Sequence, residues 1–267
     1  MDLSLKNRVA LVSGSSRGIG KAIALELAKA GADVILCGKT NEALQKVKSE
    51  MEKTGVRVYA QSVDATKLDE VAKFFSETVG KIGRLDILVN NVGGVTKFGS
   101  FENLEDKDWR ETIDLNFMSM VYFSKAALPW LKKSDQARII NISTVPARQP
   151  GTYNPHYSAS KAAMLNLSKY LANNFAKDKI LVNAICPSTI VGDNWDERIG
   201  DRSKREKVSL EEARKIMENE EKGKVPLGEL GLPADIASLV LFLASAKSRF
   251  ITGACIGVDG GVARSIF

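Results

Sequence analysis

Histidine and cysteine are scarce in this chain. His156 is the only histidine among 267 residues, and Cys37, Cys186 and Cys255 are the only cysteines. No Cys/His cluster has zinc-site spacing, so a metal centre built from those ligands is not expected. An odd number of isolated cysteines reads as free thiols in a reducing compartment. Long apolar runs are also missing: none reaches the roughly 20 residues that cross a bilayer, and no membrane partner is expected. The opening Met-Asp-Leu-Ser-Leu-Lys lacks the apolar segment of a secretory signal, so a cytoplasmic protein is expected. No repeat, low-complexity stretch or Pro/Gly/Ser-rich linker divides the chain, which reads as one domain over residues 1–267. The net charge is +6, but Asp and Glu are interspersed through the Lys-rich stretches, so there is no clean basic stripe and nucleic acid is not an expected partner. A mildly positive field does favour an anionic small molecule.

What is present is ordinary globular composition, 44% hydrophobic and 26% charged, arranged in a strict alternation. Strand-like apolar runs occupy residues 8–13, 33–38, 56–62, 85–90, 137–143, 180–187 and 254–258. Their near-continuous apolar character is that of parallel strands buried on both faces. Helical patterns fill residues 18–30, 41–54, 67–83, 105–132, 155–177 and 233–246. Such βαβα order predicts a single-domain, Rossmann-like three-layer α/β/α fold around an about seven-stranded parallel sheet. One connection is too long for this rhythm. Residues 190–225 hold Trp195, many charges and a helical stretch near 210–222. They follow a strand's carboxyl end, so they are expected to be a lid over a substrate crevice.

Two motifs carry chemistry. Residues 13–20 read Ser-Gly-Ser-Ser-Arg-Gly-Ile-Gly, after the first strand and at the head of the first helix. Gly14 permits a tight turn, Gly18 lets backbone approach a pyrophosphate, and Gly20 allows close helix–strand packing. The helix N-terminus then offers N–H donors and a positive dipole end to phosphates. The spacing is G-x-x-x-G-x-G, not G-x-G-x-x-G. Far downstream stands Tyr157-Ser-Ala-Ser-Lys161. Residues four apart share a helix face. An ammonium beside a phenol favours phenolate, so the Tyr157 pKa should fall from about 10 toward working pH. That suits general acid/base work on an alcohol or carbonyl. Tyr-x-x-x-Lys alone is a common pattern; the glycine loop gives it meaning.

This combination resembles the short-chain dehydrogenases/reductases over nearly the whole chain. Asn90-Asn91-Val92-Gly93 stands where the family has Asn-Asn-Ala-Gly. Asn116 lies in the fourth helix, 139–144 (Ile-Ile-Asn-Ile-Ser-Thr) ends the fifth strand, and Ile251-Thr252-Gly253 and Val258-Asp259-Gly260-Gly261 lie near the C-terminus. Within the family the chain looks most like 3-oxoacyl reductases and sugar dehydrogenases. The resemblance implies four catalytic positions: Tyr157 as acid/base, Lys161 as its pKa-lowering partner and ribose ligand, Asn116 holding a relay water, and a hydroxyl about thirteen residues before the tyrosine. Ungapped spacing prefers Thr144 for that hydroxyl, with Ser143 the alternative, since neighbours on a strand point opposite ways. Cofactor contacts are implied for Gly14, Ser16, Arg17, Gly18, Ile19, Gly20, Lys39, Asp64, Asn90, Tyr157, Lys161, Pro187 and Ile190.

Family members that use NAD place an acid at the end of the second strand. Here that position is Gly38, followed by Lys39, and Arg17 sits in the glycine loop. Two cations and no carboxylate suit a 2′-phosphate, so NADP(H) is expected over NAD(H). Ser188 replaces a family glycine, which puts the local turn in question. His156 is expected either at the substrate pocket or on the surface at a helix N-terminus, and Trp195 either on substrate or in the core. The implied activity is NADP(H)-dependent hydride transfer to or from a small polar carbonyl or secondary alcohol: a sugar, hydroxy acid or 3-oxoacyl group. The alternative is a non-catalytic dinucleotide-binding regulatory protein; an epimerase or dehydratase is less suited to this glycine spacing. A homo-oligomer, dimer or tetramer, is the remaining implication.

Overall fold

The computed structural model describes residues 2–192 and 194–265; Asp193, within the 190–225 segment, lies outside the described residues. Seven strands, β1 (Val9–Ser13), β2 (Asp33–Gly38), β3 (Val58–Ser62), β4 (Ile87–Asn90), β5 (Arg138–Ile142), β6 (Leu181–Pro187) and β7 (Cys255–Val258), form one sheet. Their order is β3-β2-β1-β4-β5-β6-β7 and every pairing is parallel. The chain winds outward from β1 through β2 to β3, then restarts at β4 beside β1 and winds the other way. That reversal opens a crevice at the carboxyl ends of β1 and β4.

The strand runs are apolar throughout because both faces are covered. Ala10 and Val12 pack one way, with Ile23 and Leu27 of α1 (Gly18–Lys29) and Val240 and Leu243 of the last long helix. Val9 and Leu11 pack the other way, with Phe74, Phe123 and Met164. The edge strands β3 and β7 are only partly buried, so burial on both faces holds for the inner strands.

The remaining helices are α2 (Asn41–Met51), α3 (Leu68–Phe74), α4 (Gly80–Ile82), α5 (Asp106–Ile113), α6 (Ser119–Leu131), α7 (Pro155–Phe175), α8 (Asn194–Glu206), α9 (Leu210–Lys222) and α10 (Pro233–Ala244). Two expected continuous helices are interrupted: π turns at Phe75–Val79 and Asp114–Met118 separate α3 from α4 and α5 from α6. In the second, the Asn116 side-chain amide donates to the Thr112 carbonyl, a bond normally reserved for backbone one turn on. α7 starts from Asn154, which adopts a left-handed conformation (φ 55°) and is followed by Pro155. Its side chain accepts from the Gly99 N–H at 3.1 Å and its own N–H donates to the Gly99 carbonyl at 2.8 Å. This clamp ties the loop after β4 to the first turn of α7.

The 190–225 segment contains the expected helix α9 and an unexpected one, α8. α8 buries Trp195 and Ile199 against Ala213 and Met217, a small core of its own. Ser209 caps α9 by accepting from the Glu212 N–H.

Candidate active site

The glycine loop folds as its sequence requires. Gly14 and Gly18 have φ of 65° and 54°, where a side chain is strained. A Cβ on Gly20 would collide with the Gly14 carbonyl. Asn91 latches the loop: its side-chain amide donates to the Ser13 and Gly14 carbonyls at 3.0 and 3.1 Å, and its N–H donates to the Ser13 hydroxyl. The Arg17 side chain does not cap α1 and no acidic residue sits in its first turn, so the positive end of the helix dipole lies at the crevice. Two cavities, about 340 and 250 Å³, meet over this loop and share Gly14, Arg17, Asn91 and Gly93. Gly18, Ile19 and Gly20 line the larger one, and Ser16 and Lys39 the smaller.

Tyr157 and Lys161, one turn apart on α7, line the larger cavity with Ser143, Thr144, Pro187 and Ile190. The Tyr157 hydroxyl lies beside the Thr144 hydroxyl, which itself donates to the Pro187 carbonyl at 3.5 Å. Ser143 instead turns its hydroxyl to the Lys161 backbone carbonyl at 3.2 Å. The ladder ends at Ile142, so both residues reach the cavity despite being neighbours, and the hydrogen bonds separate them. The Lys161 amine is buried and donates to the Ile142 carbonyl at 2.9 Å. Burial lowers its pKa from 10.5 to about 8.

The expected lowering of the Tyr157 pKa does not occur. Burial raises it, with the Thr144 hydrogen bond opposing and the nearby Cys186 adding to the rise. The reason is competition: the Lys161 amine is spent on a backbone carbonyl and is itself desolvated, so the phenol gains little from it.

Asn116 is fully buried and closes a ring with Gly94, accepting from its N–H and donating to its carbonyl, each at 2.9 Å. A Cβ on Gly93 would lie 2.6 Å from the Asn116 Oδ1 and 2.7 Å from the Lys161 Nζ, so these two side chains face each other across Gly93.

Several sequence-selected residues lie elsewhere. The Asn90 side chain points away from the crevice, donating to Asn141 at 2.8 Å and Ser124 at 3.1 Å under the sheet. Its neighbour Asn91 lines both cavities and was not singled out in the sequence. Asp64 stands beside the smaller cavity, whose wall is made by Val63 and Ala65. Asp64 pairs with Lys39 at 3.0 Å and accepts from Thr66. Burial works to raise its pKa, but these partners hold it below the usual carboxylate value. His156 is neither in the pocket nor on the surface: it is fully buried, packed against the Trp109 ring at 5.9 Å, with no partner for either ring nitrogen among the described residues. Trp195 is buried in the α8–α9 core, as one of its two expectations had it, and it also lines the larger cavity. Its indole N–H donates to the Ile190 carbonyl at 3.1 Å. Ser188 needs no left-handed backbone, and its hydroxyl donates to the Asp259 carbonyl at 3.0 Å, which secures the turn without glycine.

A glycine-lined crevice at the sheet's switch point, with a Tyr-x-x-x-Lys helix along one wall, defines a dinucleotide-fold oxidoreductase. The chain belongs to the short-chain dehydrogenase/reductase family. The family model described as enoyl-(acyl carrier protein) reductase matches residues 14–263. The chain is 31% identical over 261 residues to 2-dehydro-3-deoxy-D-gluconate 5-dehydrogenase of Escherichia coli, covering 97% of this chain and 96% of that protein. It is 34% identical over 263 residues to the 3-oxoacyl-(acyl-carrier-protein) reductase of Aquifex aeolicus, covering 98% and 100%. Among solved structures, L-sorbose reductase from Gluconobacter frateurii, complexed with NADPH and L-sorbose, superposes with a TM-score of 0.92 at 29% identity over the full length of both chains.

Proposed function

We propose that the protein is an NADP(H)-dependent reductase or dehydrogenase of a small polar carbonyl or secondary alcohol, with Tyr157 the acid/base. The observation that carries this is the Tyr157–Thr144 hydroxyl pair on the wall of the larger cavity, beside the glycine loop. Two hydroxyls held together can both reach one substrate oxygen.

The crevice fits a phosphorylated dinucleotide. Gly14 and Gly18 leave backbone room, the first turn of α1 carries no acidic residue, and Arg17 and Lys39 bring two cations to the smaller cavity with no carboxylate at Gly38. Gly14, Ser16, Arg17, Gly18, Ile19, Gly20 and Lys39 would hold it, with Lys161, Pro187 and Ile190 at the reacting end. When bound, a nicotinamide supplies or accepts the hydride. The chain's own residues do the rest. Tyr157 gives its proton to the substrate oxygen, Thr144 holds that oxygen, and Lys161 passes on the replacement proton, drawn from solvent through a water that Asn116 holds. Asp64 acts through Lys39, which it holds at the smaller cavity. Asn90 acts beneath the sheet, supporting the strand end that carries Asn91.

A sugar or 3-oxoacyl substrate agrees with the names of the relatives, and the many charges of residues 190–225 favour the polar one. This segment acts as the lid, with Trp195 as its inner face. Cytoplasmic residence as a homodimer or tetramer belongs to the same reading, supported by three free thiols and by the exposed Ile113 on α5 and Tyr170 on α7. The test is a panel of keto sugars, 2-oxo acids and 3-oxoacyl thioesters, followed by absorbance of the reduced cofactor with NADPH and NADH in parallel. Consumption of NADPH with a keto sugar is expected. Tight NADPH binding without turnover on any member would favour a regulatory nucleotide-binding protein instead.

A further inference from the structure

We propose that Cys186 and Cys255 form a peroxide-sensitive dithiol beside the active site, whose oxidation to a disulfide switches the enzyme off. The two sulfurs lie 3.3 Å apart, bridging β6 and β7. Both thiols are on one face of the sheet, because Cys255 pairs in register with Ala184, and Cys186 lies two positions further along. Their environments differ in the way a reacting pair needs. Cys255 is exposed on the edge strand, whereas Cys186 is 1% exposed. The hydrogen bond from Cys186, assisted by Arg148, lowers the Cys255 pKa to about 7 against the opposing effect of burial. Cys186 keeps its proton, its pKa raised by that shared bond and by burial. An accessible, partly ionised thiol with a second thiol in contact is the arrangement of an attacking and a resolving cysteine.

The chemistry balances with a hydroperoxide as oxidant. The Cys255 thiolate attacks one peroxide oxygen, the O–O bond breaks, and the leaving hydroxide takes a proton to become water. Cys186 sulfur then attacks the sulfenic acid, the S–O bond breaks, and a second water leaves with the Cys186 proton. Two thiols lose two electrons and two protons, and one peroxide becomes two waters.

Closing the bond must disturb the site. The sulfurs have to approach from 3.3 Å to about 2.05 Å. The cysteines are diagonal rather than directly opposed, so the bond has to draw β6 and β7 along each other. Cys186 lies close to Ser143, and it directly precedes Pro187, whose carbonyl accepts from the Thr144 hydroxyl at 3.5 Å. Movement there reaches the Thr144–Tyr157 pair, and a misplacement of about 1 Å at a reacting centre can cost on the order of 10²-fold.

The switching part rests on the proposed reductase activity; the thiol chemistry does not. The experiment treats the full-length protein with hydrogen peroxide and follows intact mass, peptide mapping and NADPH-dependent turnover, before and after dithiothreitol. Expected are the loss of two hydrogen masses, a Cys186–Cys255 linked peptide, and a fall in turnover of at least about tenfold that dithiothreitol reverses. Cys255→Ser should keep its untreated turnover and resist peroxide. Addition of oxygen atoms without the linked peptide, or no mass change, would overturn the dithiol. A linked peptide with unaltered turnover would overturn the switch. The mass readout needs no turnover, so an absence of reductase activity with the linkage present would fail the functional proposal alone.

Discussion

Replacing Lys161 by methionine should make the protein's stability respond differently to pH. Lys161 is 2% exposed and its pKa lies at about 8 in the folded protein against 10.5 ordinarily. The unfolded chain therefore binds more protons than the folded one between these values, and stability contributed by this group rises with pH across that window. Below about pH 8 the folded state carries the full penalty, roughly 3 kcal/mol for a displacement of this size at about 1.36 kcal/mol per pH unit. Above about pH 10 most of that penalty is gone. Lys161→Met keeps comparable bulk and removes the charge. It also leaves the Ile142 carbonyl without the 2.9 Å bond, a loss of about 1–3 kcal/mol that offsets the gain at neutral pH. At neutral pH these two opposing effects nearly cancel, whereas the pH dependence isolates the ammonium. Urea unfolding of the cofactor-free protein and the variant, from about pH 7 to pH 10, should show wild type gaining about 2–3 kcal/mol on the variant. Parallel profiles across this range would refute the argument that burial has shifted this amine.

Four further outcomes are expected. Tyr157→Phe should lower turnover by about 10²–10⁴ while NADPH binding, read by fluorescence, is kept. Thr144→Val should lower turnover by roughly 10-fold or more, as one lost hydrogen bond to the reacting oxygen would, whereas Ser143→Ala, which loses only a bond to backbone, should fall much less. Lys39→Ala should raise the NADPH KM about tenfold, equivalent to ~1.4 kcal/mol, and leave the NADH KM nearly unaltered. Phe123→Ala, which removes a ring packed against Phe74 and Phe75 at 6.0 and 5.7 Å, should cost about 3–5 kcal/mol in denaturant unfolding without moving the site.

The strands and their order of chemistry were legible because a buried parallel strand needs apolar residues on both faces, and such runs stand out over five or six positions. The glycine loop was legible for a similar reason: Gly14 and Gly18 take a positive φ that strains a side chain, and Gly20 has no room for a Cβ. What escaped depends on contacts between distant segments. The π turn at Asp114–Met118 inserts one residue inside a long helical pattern, and only Asn116 in mid-helix hinted at it. α8 was hidden because few apolar residues, chiefly Trp195 and Ile199, serve its buried face among many charges. His156, beside Tyr157 at a helix start, suggested either the pocket or the surface, yet Trp109 from α5 covers it. Asn90 and Asn91 are indistinguishable as letters, and only the end of β4 between them decides which faces the crevice.

The expected Tyr–Lys coupling failed for a reason that bears on how the site works. Sequence spacing puts an amine one turn from a phenol, but it says nothing about competing acceptors. Here the amine reaches the Ile142 carbonyl, and the phenol reaches Thr144. Gly93 stands where these preferences meet. Any side chain there would press on both Asn116 and Lys161, and Asn116 is fixed in turn by its paired bonds to Gly94 and its hold on Thr112. Residues from the loop after β4, the π turn and α7 are therefore interlocked through one missing Cβ. In the proposed reading, the environment of Tyr157 is set by this three-part packing more than by the four-residue interval. Its proton affinity should fall only when a bound group gives Lys161 reason to face it, which makes activation of Tyr157 a consequence of cofactor binding and not a standing property of the helix.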